Sequence, residues 1–256
     1  MPHEVAPKGL FLDYGGTLVE EVRSDARAGN EALLARALSK PAHVTIEEVM
    51  ARANRVSVEV AARRDEFHLE TPWPTLTRLI HDYLGIRFAE PMAELEMAFW
   101  RASVTTTPMP GAREALEQFH RSGVRLAVVS NCAFSQDVLR YELGKHGLAD
   151  RLEFIVVSAE YSVRKPNPLL FETAAARLGV APKDIWFVGD RLDTDVTGAQ
   201  AAGMQAVWFQ PGNSSESSSD ASVLKVESWN DLLHRFQNLR AGAGDADENE
   251  GAPLPS

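Results

Sequence analysis

Cysteine is all but missing from this chain, with Cys132 the sole one among 256 residues. That excludes an internal disulfide and any zinc site built on thiolates, and a reducing compartment suits it. Long apolar runs are missing too. No stretch approaches the roughly 20 residues needed to cross a bilayer, and no basic segment near the start leads into a long apolar one. The expectation is a soluble, cytoplasmic protein with no membrane partner. Positive charge is also scarce: 26 Lys and Arg stand against 36 Asp and Glu, for a net charge of −10. Nucleic acid, whose binding needs clustered cations that release counterions, is therefore not an expected partner. Part of the acidity lies in the tail from Asp245 to Glu250, which leaves the rest only mildly acidic. Internal repeats are absent, which excludes a solenoid.

What is present is an ordinary apolar fraction, 45%, enough for a substantial core. The first apolar run, Leu10-Phe11-Leu12, ends at Asp13, and Gly15-Gly16 follow almost at once. A short run without alternation suits a strand covered on both faces of a parallel sheet, and the glycines turn the chain where the acid stands. Asp13 is thus expected to be exposed and rigidly held at a strand end. From residue 20 to 107 the texture turns helical, with candidates at Ala32–Leu38, Ile46–Ala62, Leu76–Leu84 and Met92–Arg101. Thr105 to Gly111 looks like a hinge out of this block.

Beyond it strands and helices alternate, with apolar runs at 124–129, 154–157, 185–188 and 205–209. The fold class expected is α/β, a Rossmann-like doubly wound parallel sheet with an inserted all-helical cap domain. Its boundaries are 1–19 and 108–240 for the core and 20–107 for the cap. The serine-rich stretch 212–222 reads as a loop, and the Gly-, Pro- and acid-containing segment 241–256 as a disordered tail.

Three apolar runs end at or beside a polar residue, Asp13, Ser130 and Asp190, while Lys165 follows a fourth after a loop. In a parallel sheet the carboxyl ends of the strands share one edge, so these side chains converge there. Asp13 and Asp190, with Asp193 and Asp195 nearby, offer the hard oxygen ligands that Mg²⁺ prefers. Ser130, in a turn before a helix, has a hydroxyl and N–H groups to give to an anion. Lys165 adds a compact positive charge. Taken alone, Asp13 reads equally well as a turn cap, and the company of the other residues favours the site.

Asp13-Tyr14-Gly15-Gly16-Thr17-Leu18, Val128-Val129-Ser130-Asn131, Arg164-Lys165-Pro166-Asn167-Pro168 and Val188-Gly189-Asp190-Arg191-Leu192-Asp193-Thr194-Asp195 stand in that order. Together they resemble the four signature motifs of the haloacid dehalogenase (HAD) superfamily. Pro108 to Gly111 and Gly198 to Met204 are similar to the family as well, and the helical insert sits where its C1 cap does. The resemblance implies that Asp13 is a nucleophile forming an aspartyl-phosphate and that Ser130, Asn131 and Lys165 bind the substrate's phosphoryl group. It also implies that Lys165 keeps Asp13 ionised, and that Mg²⁺ is held by Asp13, Asp190 and the main-chain carbonyl of Gly15, with Asp195 steadying it. The partner implied is a small phosphorylated metabolite; oligomeric state is not implied.

One position departs from the pattern. Family phosphatases carry a second aspartate two residues after the nucleophile, which protonates the leaving oxygen and later activates water; here that residue is Gly15. The alternatives are a nearly inactive member that binds a phosphorylated ligand or a protein, a dehalogenase, and a phosphonatase. A dehalogenase has a tyrosine at that place and no metal. A phosphonatase needs a cap lysine, and the insert's one lysine is Lys40. Tyr14 reads as packing or as a substrate contact, Asp193 as a metal contact or a helix cap, and Asn131 as fixing the turn or touching substrate. Arg52, Arg55, Arg63, Arg64, His68, Trp73 and Trp100 are the insert's candidates for reading the leaving group. Cys132 reads as a small buried side chain.

Overall fold

A computed structural model of the chain describes residues 5–212 and 223–249. Strand β1, Gly9–Leu12, comes first. It is followed by an antiparallel ribbon of β2, Val19–Ser24, and β3, Val104–Pro108, in which Val19 pairs with Pro108 and Ser24 with Val104. Between the ribbon strands lie four helices, α1 (Ala26–Leu34), α2 (Ile46–Phe67), α3 (Trp73–Leu84) and α4 (Met92–Ser103). Each starts on a local signal. Asp25 caps α1 through its side chain, Thr45 and Glu48 form a reciprocal capping box on α2, and Pro72 and Pro91 precede α3 and α4. The ribbon corrects the expectation of a purely helical insert closed by a loop hinge. In β2 only Val19 is buried, so that strand has no apolar face for a sequence pattern to reveal.

After β3 the chain runs α5 (Ala112–Arg121), β4 (Arg125–Ser130), α6 (Gln136–Lys145), β5 (Phe154–Val157), the short α7 (Ser158–Tyr161), α8 (Pro168–Leu178), β6 (Ile185–Gly189), α9 (Thr197–Ala201), β7 (Gln205–Phe209), β8 (Leu224–Val226) and α10 (Trp229–Asn249). The sheet has six strands in the order β5-β4-β1-β6-β7-β8, every neighbouring pair parallel. Helix α10 carries on to Asn249, so the tail expected to be disordered from residue 241 is helical as far as the described residues go. The expected serine-rich loop falls mostly on 213–222, outside the described residues.

Both faces of the sheet are covered. Leu10, Leu12, Leu126, Val128, Trp186 and Val188 point to one side, where α5, α6 and α10 supply Phe119, Leu143 and Phe236. Phe11, Ala127, Val129, Ile185 and Phe187 point to the other, against Leu170, Phe171 and Ala199 of α8 and α9. This double burial is why the strands read as unbroken apolar runs. The insert has small cores of its own, around Val44, Val49 and Ile80 and around Leu33, Leu95 and Phe99. Among the described residues no helix is long and apolar enough to cross a membrane.

Gly198 marks the tightest helix contact near the sheet edge, since a Cβ there would lie 2.4 Å from the Phe171 ring and 3.0 Å from Pro166 Cα. Gly198→Ala is expected to destabilise the protein by about 1–3 kcal/mol through overpacking. A urea midpoint unchanged by the substitution would show that Phe171 has room to yield.

Candidate active site

The carboxyl ends of β1, β4 and β6 open on one cavity of about 730 Å³, and Asp13, Ser130, Lys165, Asp190 and Asp195 all line it. Asp13 directly follows β1, and its N–H donates to Val188 O of β6 at 2.9 Å. Contrary to the expected exposure it is 8% exposed, crowded by Lys165, Asp190 and Asp195. Ser130 is the last residue of β4 and is buried. Lys165 comes off the loop after α7 and is buried as well, its Nζ 2.6 Å from Asp13 Oδ1 and 2.7 Å from Asp195 Oδ1.

Asn131 explains how the lysine is aimed. Its Oδ1 accepts from Lys165 N at 2.8 Å and its Nδ2 donates to Lys165 O at 3.0 Å, so the amide grips that residue's main chain from both sides. Asp190 and Asp195 come from the turn after β6, where residues 192–196 form a single π-helical turn. Asp195 is fixed by Arg191 N–H, which donates to its Oδ2 at 3.1 Å. Two glycines leave room for the carboxylates: a Cβ on Gly16 would lie 2.4 Å from Asp190 Oδ2, and one on Gly189 would lie 2.4 Å from Asp195. Gly15 differs, since a Cβ there meets nothing within 4 Å.

One oxygen each from Asp13, Asp190 and Asp195 lies within 4.8 Å of the other two. A single ammonium does not offset three carboxylates. Burial, joined by repulsion from Asp13 and Asp195, pushes the Asp190 carboxyl up to about 7. Burial likewise lifts Asp195 against the pull of Lys165. Burial alone would depress the Lys165 ammonium, but Asp13 and Asp195 outweigh it and hold the group above its ordinary value. Asp190 Oδ1 is buried without a hydrogen-bond partner. An orphaned hard oxygen among excess carboxylates fits a divalent cation, so these residues suit the metal that the motifs imply.

The rest of the lining comes from the insert and the loops beneath it: Glu21 of β2, Arg64 and His68 at the end of α2, Trp100 of α4, and Cys132, Phe134, Arg164 and Arg191. Arg64, His68 and Trp100 were among the sequence candidates. The other candidates behave differently. Trp73 stacks on Phe134 with ring centroids 5.6 Å apart, Arg52 lies over the Tyr83 ring, and Arg55 is solvent-exposed. The side chain of Arg63 lies outside the described residues. Asp193 also lines the cavity, but it is exposed, pairs with Arg191 at 2.8 Å and is not one of the clustered carboxylates. Tyr14 both lines the cavity and packs in the main core, where burial and Glu142 raise its phenol. Protein atoms crowding Cys132 push its thiol up to about 12, so it stays protonated. Lys40 donates to Val44 O at 2.8 Å and does not line the cavity, which leaves the phosphonatase reading without its lysine. Sequence reasoning did not find Glu21, which stands in β2, a strand without apolar periodicity.

The haloacid dehalogenase-like hydrolase family matches residues 7–203, a span that holds all four strand-end motifs. Over 133 residues the chain is 35% identical to a phosphoserine phosphatase of Thermus thermophilus, covering 52% of this chain and 53% of that protein. The chain thus spans about half that relative's length. A phosphoglycolate phosphatase of Pectobacterium atrosepticum is 25% identical over 256 residues, 99% of this chain and 100% of that one. Among solved structures, a 2-haloacid dehalogenase from Pseudomonas syringae superposes with a TM-score of 0.62 at 20% identity, covering 91% of this chain and 99% of that one. For an HAD phosphatase from Thermococcus onnurineus the TM-score is 0.58 at 20% identity, covering 90% and 97%. At such identities the structural likenesses speak for the fold alone. The family match over most of the chain does more: this protein belongs to the haloacid dehalogenase-like hydrolases.

Proposed function

We propose that the protein is a Mg²⁺-dependent phosphohydrolase that cleaves a small phosphorylated metabolite through an aspartyl-phosphate on Asp13. The observation that carries this reading is the buried ammonium of Lys165 set 2.6 Å from Asp13 and 2.7 Å from Asp195, beside an Asp190 oxygen with no partner. Asp13, Asp190 and the main-chain carbonyl of Gly15 would hold the cation, with Asp195 steadying it. When bound, the cation neutralises charge on the phosphoryl oxygens. A cavity of about 730 Å³ is of a size for a small metabolite. The relatives named for phosphoserine and phosphoglycolate support a small phosphate ester as the substrate class.

Lys165 pairs with the Asp13 carboxylate at 2.6 Å and, with Ser130, holds the transferring group's oxygens. The ionised Asp13 attacks phosphorus; a new bond from its oxygen forms as the bond to the leaving oxygen breaks. Water then attacks the same phosphorus, phosphate departs and the Asp13 carboxylate is restored. Asn131 acts through Lys165, whose main chain it grips. No carboxyl stands at residue 15 to protonate the leaving oxygen, so leaving groups stable as anions, such as aryl and acyl phosphates, are favoured over alkyl phosphates.

Turnover of p-nitrophenyl phosphate is expected with Mg²⁺ and not after chelation by EDTA. Asp13→Asn abolishes it, and acid-quenched wild-type protein carries a phosphoryl group on the peptide containing Asp13. Absence of turnover across a panel of phosphoesters and anhydrides would instead favour a protein that only binds phosphorylated ligands.

Because position 15 is open, Gly15→Asp is expected to fold normally. It should raise kcat on alkyl phosphates by about 10²-fold, the low end of what general acid-base help supplies, with a smaller effect on aryl phosphates. Equal rates for variant and wild type on both classes would show that the missing proton donor is not what restricts turnover.

A further inference from the structure

The insert meets the segment after Ser130 through Trp100, which packs on Phe134, through Glu96, which accepts from Ser135, and through a short run, His68 to Trp73, which alone of the three also reaches the segment before Lys165. The chain leaves α2 at His68 in a left-handed conformation, φ 51°. From there the run lies along the core: Arg164 N donates to His68 O at 2.9 Å, Leu69 bridges antiparallel to Val163, Glu70 N donates to Ser162 O at 3.1 Å, and Trp73 N donates to Ala133 O at 2.7 Å. In its middle the Glu70 side chain is buried. Glu70 Oε2 accepts from Ser158 Oγ at 2.7 Å and pairs with the Arg164 guanidinium. Ser158 Oγ in turn accepts from Cys132 N at 2.9 Å.

One carboxylate from the insert therefore reaches both loops that bear phosphoryl-contacting residues. Through Ser158 it holds the segment that follows Ser130 and Asn131. Through Arg164 it holds the residue next to Lys165. These same loops are joined by the Asn131 amide on Lys165. A static contact of this kind is served as well by apolar side chains, because burying charge is costly. A polar latch has a different property: when it opens, Glu70, Ser158 and Arg164 can each exchange their mutual contacts for water.

Resting on the reading of the cavity as a phosphoryl-transfer site, we propose that Glu70 is a positioning residue. Its docking sets the Ser130–Cys132 loop and Lys165 in place, so the site is assembled only when the cap is seated. The partner it senses is the core's own phosphoryl pocket rather than the leaving group.

The test uses full-length Glu70→Ala and Glu70→Gln in Mg²⁺, with p-nitrophenyl phosphate as substrate and orthovanadate as the phosphate mimic. Glu70→Ala is expected to lower kcat by about 10- to 100-fold, as misplaced catalytic groups do, with less effect on KM. It should weaken vanadate binding and speed amide hydrogen exchange in 130–134 and 162–166. Glu70→Gln still accepts from Ser158 but lacks the charge facing Arg164, and should fall between wild type and alanine; it also carries the test if the alanine variant does not fold. A lowered melting temperature with kcat, vanadate affinity and loop exchange unchanged would overturn the proposal and leave Glu70 a structural staple. If the wild type turns over no phosphoester, the phosphatase reading fails. Vanadate affinity and loop exchange still decide the role of Glu70.

Discussion

The buried ammonium of Lys165, shared between Asp13 and Asp195, is the interaction on which the rest of the structure depends. A charge taken out of water stays charged only where its partners are close and fixed, and removing one partner of such a pair costs about 3–5 kcal/mol. The surroundings provide that fixity. Asn131 holds the lysine's main chain, Arg191 N–H holds Asp195, and bare glycines at 16 and 189 let the carboxylates pack against backbone. The balance is nevertheless incomplete, since the third carboxylate, Asp190, has its proton affinity raised toward neutrality. The protein thus stabilises one part of the cluster and leaves another in deficit of positive charge, the condition in which a divalent cation binds.

The sheet brings these groups together at little cost. With β1 between β4 and β6, Asp13 at a strand end and Lys165 on a loop, 152 positions apart in the chain, come within hydrogen-bonding distance at the carboxyl edge of the sheet. Two tryptophans then fix the turns beyond those ends. Trp208 Nε1 donates to Asp190 O at 2.9 Å, and Trp229 Nε1 donates to Thr17 O at 3.0 Å from the start of the last helix. Both indoles are buried, so each anchors a loop carbonyl with a hydrogen bond that water does not contest.

The sheet and its edge were legible in the sequence because strands covered on both faces leave uninterrupted apolar runs, and the polar residue ending each run stands out against them. The family motifs added order and roles. Three helices of the insert were legible for a similar reason, with Pro72 and Pro91 marking two of the starts, whereas α1 runs Ala26–Leu34 rather than the expected Ala32–Leu38, its start set by the Asp25 cap. What was not legible is instructive in the same terms. Strand β2, with its Val-Glu-Glu-Val-Arg-Ser sequence, is held by backbone pairing to β3 and has just one buried side chain, so no periodicity betrays it. The run from His68 to Trp73 is extended and irregular, and the burial of Glu70 depends on Ser158 and Arg164, some 90 residues on in the chain. Contacts of that kind are properties of the folded arrangement.

This contrast divides the cavity into two halves with different physical origins. On the proposed reading, the phosphoryl side is the half built on strand ends, where position is set by a rigid sheet. The leaving-group side is then the half lined by Glu21, Arg64, His68 and Trp100 from the ribbon and the insert. Gly15 lies at the seam, with open space where a side chain would reach across from one half to the other. A carboxyl at that point would let the rigid half protonate the departing oxygen whatever the insert does. Without it, stabilisation of that oxygen falls to the substrate's own acidity and to the groups that the insert brings over it, in a site whose low dielectric makes each nearby charge count for more than it would in water. On the proposed reading, the seating of the insert then governs whether the leaving group can depart as well as which one is admitted, and a polar latch reaching the loops of the phosphoryl side couples the two halves where covalent structure does not.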